Sequence, residues 1–91
     1  MTPPTALYNV TLSKKAIKSL KEFPRDYQAK IQEAIKKLSA DPFKMDIKKM
    51  QSSEATHRLR VGPYRIFLQI DTASKEAIIA TIKRRTSQTY R

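Results

Sequence analysis

The sequence predicts an α+β domain in which a helical hairpin packs on one face of a small, mainly antiparallel four-stranded sheet. The predicted element order is β-α-α-β-β-β. Two adjacent stretches between Ser13 and Ala40 repeat their apolar residues every 3.6 positions. The stretch THRLRVGPYRIFLQID, Thr56 to Asp71, instead alternates with a period of two around a Gly62-Pro63 turn. With 91 residues and no linker, repeat or low-complexity tract, residues 1–91 form a single domain with a modest core.

Ala6 to Leu12 reads as a first strand. Ser13 is a plausible N-cap for the helix after it, whose stripe is Ala16, Ile17, Leu20 and Phe23, with Lys14, Lys15, Lys18 and Lys21 outward. Pro24 breaks that helix. A second starts near Arg25 or Asp26 and carries Tyr27, Ile31, Ala34, Ile35 and Leu38 inward. It stops at Asp41-Pro42, because the residue before proline is pushed out of the α region. Pro42 to Ala55 reads as polar and irregular, tethered by Phe43, Met45, Ile47 and Met50. The arginine-rich hairpin follows, then a turn at Thr72 to Lys75 and a last strand from Glu76 to about Ile82. In that strand Ile78, Ala80 and Ile82 alternate with Ile79 and Thr81. Both of its faces are apolar, which suits a strand inside the sheet.

Composition narrows the function. Lys plus Arg number 19 against 8 acids, a net charge of +11. So large an excess points to a polyanionic partner, a nucleic acid or an acidic protein. No apolar run approaches the roughly 20 residues of a membrane span. There is no cysteine and one histidine, so neither a disulfide frame nor a thiolate site is available, and scattered acids do not suggest a metal centre. No cofactor is called for. The N-terminus lacks a secretory pattern, so the expected compartment is the cytoplasm.

A two-residue turn in the hairpin sets Val61 against Tyr64, Arg60 against Arg65 and Arg58 against Phe67. One face then holds Arg58, Arg60, Arg65, Phe67 and Gln69. The other holds Leu59, Val61, Tyr64, Ile66, Leu68 and Ile70. Arginine opposite arginine costs stability, so the fold does not ask for it. A bound phosphate does, because guanidinium forks grip phosphate oxygens. His57 falls on the core face with Leu59. Arg84, Arg85 and Tyr90 close the chain, and a tyrosine beside arginines is a candidate stacking platform for a base.

With these residues in view, HRLRVGPYRIFLQI and the closing IKRRTSQTY resemble the RelE/ParE superfamily of bacterial and archaeal toxins, nearer its RelE branch. The resemblance spans nearly the whole chain. It implies a ribosome-dependent endoribonuclease that needs no metal and cuts mRNA in the A site, the message's own 2′-hydroxyl attacking the adjacent phosphate. It implies an acidic antitoxin partner, through which the toxin–antitoxin complex binds operator DNA. Carried over by position, Arg58, Arg60, Arg65, Arg84 and Tyr90 become the catalytic set. Arg65 would bind the scissile phosphate, Arg84 would stabilise charge or protonate the leaving oxygen, and Tyr90 would stack on or orient the base. Lys44, Lys48, Lys49, Phe67, Lys83 and Arg85 become further RNA contacts. One departure matters: the best-known RelE pattern has lysines where Arg58 and Arg60 stand, and arginine is a poor general base. Some relatives use a Glu and a His, for which Glu54 and His57 are the nearest residues; the base stays unassigned. The alternatives are a ParE-like gyrase-inhibiting toxin and a non-catalytic basic RNA- or DNA-binding module.

Overall fold

The structure, a computed structural model, describes residues 8–53 and 55–84. The expected roles of Ala6, Leu7, Glu54, Arg85 and Tyr90 lie outside the described residues. Strand β1 (Asn9–Leu12) leads into helices α1 (Lys14–Lys21) and α2 (Arg25–Ala40). A 3₁₀ turn (Pro42–Lys44) precedes β2 (Ile47–Lys49), β3 (His57–Val61), β4 (Tyr64–Asp71) and β5 (Glu76–Arg84). The sheet order is β1-β5-β4-β3-β2, with β1 parallel to β5 and every other pair antiparallel.

The sheet has five strands rather than the expected four. The extra strand, β2, lies in the stretch read as irregular. Three residues are too few to show a period, and β3 supplies the partner that defines them. Ile47 faces Leu59, Lys48 faces Arg58 and Lys49 faces His57. The Arg60 amide donates to the Asp46 carbonyl at 3.0 Å, and the Met50 amide to the Thr56 carbonyl at 2.7 Å. A short edge strand with two lysines also discourages pairing with other chains.

Local signals place the helices as expected. Ser13 caps α1, its Oγ accepting from the Ala16 amide at 3.1 Å. Lys18 and Lys21 fill the last turn of α1, where cations favour the helix dipole. At the end of α2, Asp41 turns extended (φ −164°), and its carboxylate accepts from the Phe43 amide at 3.1 Å to start the 3₁₀ turn. Ala16, Ile31, Ala34 and Leu38 from the helices bury against Leu59, Ile66, Leu68, Ala77, Ile79 and Ile82 of the sheet. Tyr64 is wedged beside the Phe23 and Tyr27 rings, with centroids at 4.4 and 5.1 Å. The hairpin register is the expected one, down to Val61 against Tyr64. Gly62 takes a positive φ of 56°, the conformation its turn position requires, while a Cβ there would meet nothing.

The last strand departs from simple alternation. Phe67 pairs with Thr81 and Leu68 with Ile79, so Ala80 is an extra residue, a β-bulge. Its carbonyl accepts from Ser13 Oγ at 2.7 Å, so the α1 cap also serves the bulge. The set Ile78, Ala80, Ile82 therefore does not share one side. Ile79 and Ile82 are buried under the helices, while Ile78 faces outward and is 42% exposed. The strand also runs on to Arg84, beyond the expected end near Ile82.

Candidate nucleic-acid interface

The helices cover one face of the sheet, and one half of the other face carries two basic rows of side chains set by register. Lys48, Arg58, Phe67 and Thr81 lie across β2, β3, β4 and β5. Arg60, Arg65 and Lys83 form the next row. The bulge places Lys83 there: shifting β5 by one residue after Ile79 turns Thr81 and Lys83 to the open face. Lys83 Nζ sits 5.8 Å from the centroid of the Phe67 ring, a cation–π contact.

A depression of about 130 Å³ opens between Asp46, Lys48, Arg58, Arg60 and Arg65. Among the described residues four cations surround it, and Asp46 is the one carboxylate in its lining. Asp46 Oδ2 accepts from Arg60 Nε at 2.9 Å, with the side chains 48% and 60% exposed. That pairing draws the Arg60 guanidinium toward β2 and offsets part of its repulsion with Arg65. An ion pair so exposed contributes only about 0–1 kcal/mol to stability. Among the described residues no second acid lines the depression, and Arg58 and Arg65 are half-buried on the sheet. The concentration of positive potential suits a phosphate and its equatorial oxygens.

The expected site residues divide. Arg58, Arg60, Arg65, Lys48, Phe67 and Lys83 are brought together on the open face. Arg84 pairs with Tyr64, so its register position is on the helix side, at the exposed strand end. Lys49 pairs with His57 on the helix side of the edge, and Lys44 lies in the 3₁₀ turn beside Lys37, Asp41 and Met45. Arg85 and Tyr90 fall outside the described residues. Asp46 escaped the sequence reading. Its one signal is a spacing of two from Lys48, legible only once β2 is known to be a strand.

His57 stays with Leu59, as expected. Its Nδ1 lies 2.9 Å from Thr56 Oγ1 and its ring 5.7 Å from that of Phe43. Partial burial, with the charge of Lys49 behind it, holds the imidazole below its ordinary pKa of 6.5. On the helix side of the sheet, it does not join the arginines. Among the described residues no group of acids and histidine could hold a metal ion, and no helix is long and apolar enough to cross a membrane.

Two helices behind a sheet whose other face carries a cluster of cations on one half define a small α+β domain. Residues 10–88 match the family model described as the ParE toxin of type II toxin–antitoxin systems. The protein named RelE1 of Methanocaldococcus jannaschii is 32% identical over 81 residues, covering 86% of this chain and 90% of that protein. The chain belongs to the RelE/ParE family of type II toxin–antitoxin toxins. Solved relatives share the fold. The archaeal RelE–RelB complex of Pyrococcus horikoshii superposes with a TM-score of 0.78 at 24% identity, over 89% of this chain and 98% of that one. The RelBE2 toxin–antitoxin complex of Mycobacterium tuberculosis gives 0.75 at 25% identity, over 86% and 98%. The RelB–RelE complex of Methanococcus jannaschii gives 0.59 at 26%, over 87% and 94%.

Proposed function

We propose that this toxin is a cytoplasmic, metal-independent endoribonuclease that cuts mRNA on the ribosome and so arrests translation. The observation that carries the reading is the depression lined by Lys48, Arg58, Arg60 and Arg65 with, among the described residues, one carboxylate, Asp46. In the reaction the 2′-hydroxyl oxygen attacks the adjacent phosphorus and the bond to the 5′-oxygen breaks. A proton leaves the 2′-hydroxyl and another reaches the 5′-oxygen. The products end in a cyclic 2′,3′-phosphate and a 5′-hydroxyl.

Arginines stabilise such a step without taking a proton. Arg58, Arg60 and Arg65 act on the charge that builds on the phosphorane and hold the nucleotide for in-line attack. Asp46 is the candidate proton acceptor, since a carboxylate does what a guanidinium cannot. Lys83, in the row of Arg65, is a cation able to donate toward the leaving oxygen. Arg84 and Tyr90 remain candidates for charge stabilisation and base stacking at the closing end of the chain.

The partner in this reading is an acidic antitoxin that neutralises the basic surface and stabilises the toxin by mass action. The solved relatives, held in complexes with RelB, support it. Operator DNA would be bound through the antitoxin. The test is incubation with purified translating ribosomes. Cleavage of message only when ribosomes are present is the expected result. Blocked supercoiling with intact message would establish the gyrase-directed reading instead, and neither effect would leave a basic binding module.

A further inference from the structure

The open face has a second half. Among the described residues of the β4 and β5 rows, the cations stop beyond Phe67. Gln69 faces Ile78, which faces Thr11, and in the next row Asp71 faces Glu76, which faces Asn9. Alternation asks for a polar side chain at position 78, yet isoleucine stands there, 42% exposed. A shallow depression of about 420 Å³ lies between Thr56, Gln69, Asp71, Glu76 and Ile78. It continues the face that carries the arginines: along β4, Gln69 is four residues from Arg65, or about 13 Å at strand spacing. Asp71 Oδ1 already accepts from the amides of Ala73 and Ser74 at 3.0 and 3.3 Å, closing its own turn. Glu76 is exposed and one row from Ile78.

We propose that Ile78 and Glu76 form a base-recognition subsite for a nucleotide next to the one whose phosphate the arginines hold, favouring bases with an exocyclic amino group over uracil. This rests on the reading that the arginine face binds RNA. Charge orients the strand: the phosphodiester follows the cations and is repelled by Asp71 and Glu76, so the base is what reaches this half. Ile78 offers an apolar surface to the base plane. The Glu76 carboxylate accepts a hydrogen bond from an amino N–H of adenine, cytosine or guanine. Uracil has no amino group; its one pairing-edge donor, the N3–H, is flanked by two carbonyl oxygens that repel an approaching carboxylate, so its pairing with Glu76 is weaker.

Binding to non-cleavable 2′-deoxy hexauridylate analogues, with no substitution or one central A, C or G, tests this by fluorescence anisotropy at low salt. The amino-bearing oligonucleotides should bind about fivefold more tightly than the all-uracil one, the effect of one net hydrogen bond. Glu76→Gln should shrink that preference, Ile78→Thr should weaken all substituted oligonucleotides, and Arg65→Ala should weaken every oligonucleotide alike. Equal affinity for all bases in the unaltered toxin, or an undiminished preference in Glu76→Gln, overturns the subsite. So does an Ile78→Thr toxin that binds RNA normally but loses antitoxin affinity, which would make the patch a protein contact. The assay does not depend on cleavage, so failure of the ribonuclease reading shows separately, as intact message on ribosomes.

Discussion

Strand β4 has two sides with opposite duties. Tyr64, Ile66, Leu68 and Ile70 point under the helices and are all but fully buried. Arg65, Phe67, Gln69 and Asp71 point the other way and grade from basic to acidic along eight residues. The first side holds the domain together by removing apolar surface from water, about 1.5–3 kcal/mol for each large side chain. The second side contributes little to that and sets like charge against like at Arg60 and Arg65. Stability and the proposed recognition are thus separated by one residue of register, and substitutions on the two sides should fail in different ways.

The largest effect is expected at the core. Leu68→Ala, at a fully buried position, should cost about 2–5 kcal/mol in denaturant unfolding. A loss below 1 kcal/mol would mean that the helix face of β4 is not the core. Next comes Arg65→Ala, which should lower message cleavage by about a hundredfold, or 2.7 kcal/mol of barrier. Its thermal midpoint should hold or rise slightly as the repulsion with Arg60 disappears. A midpoint that falls enough to explain the lost activity would make Arg65 structural and erase the contrast between the two sides.

A smaller effect is expected for Asp46→Asn. As proton acceptor, Asp46 should leave cleavage down about tenfold or more when removed, with stability changed by less than about 1 kcal/mol because its pair with Arg60 is exposed. Full cleavage would assign Asp46 to positioning Arg60 alone. The smallest effect concerns pH. Because the folded state holds His57 below 6.5, the unfolded chain binds its proton more readily as pH falls through that value. Stability should therefore be unaffected by this group above about pH 7 and decline slightly toward pH 5. Thermal midpoints of the native chain and His57→Gln should converge at low pH. A midpoint of the native chain that rises on acidification, relative to His57→Gln, would reverse the sign.

Much of this molecule was legible in its sequence. The hairpin register followed from period-two alternation plus a two-residue turn, because a slip of one would bury Arg58, Arg60 and Arg65 and expose Leu59, Ile66 and Leu68. The helices and their stops followed from Ser13, Pro24 and Asp41-Pro42, whose effects are local. The gathering of Arg58, Arg60, Arg65 and Phe67 came with the hairpin. What was not legible depends on partners far along the chain. Strand β2 exists because β3 offers it a ladder, and three residues carry no period of their own. Asp46 reaches the arginines only through that strand.

The bulge at Ala80 is the clearest case. Nothing in EAIIATIKR marks it, since apolar residues occupy both phases. Its energetics lie in the pairing with β4 and in Ser13, 67 residues away, whose hydroxyl takes up the displaced carbonyl. That one inserted residue decides that Lys83 rather than Arg84 joins the cationic face and that Ile78 faces outward. Sequence by itself therefore determined the two helices, four of the five strands and which side of the hairpin is charged, because propensity, capping and alternation act over a few residues. Tertiary structure alone decided which distant side chains share a face with it, because register between strands is set by packing and hydrogen bonding across the whole sheet.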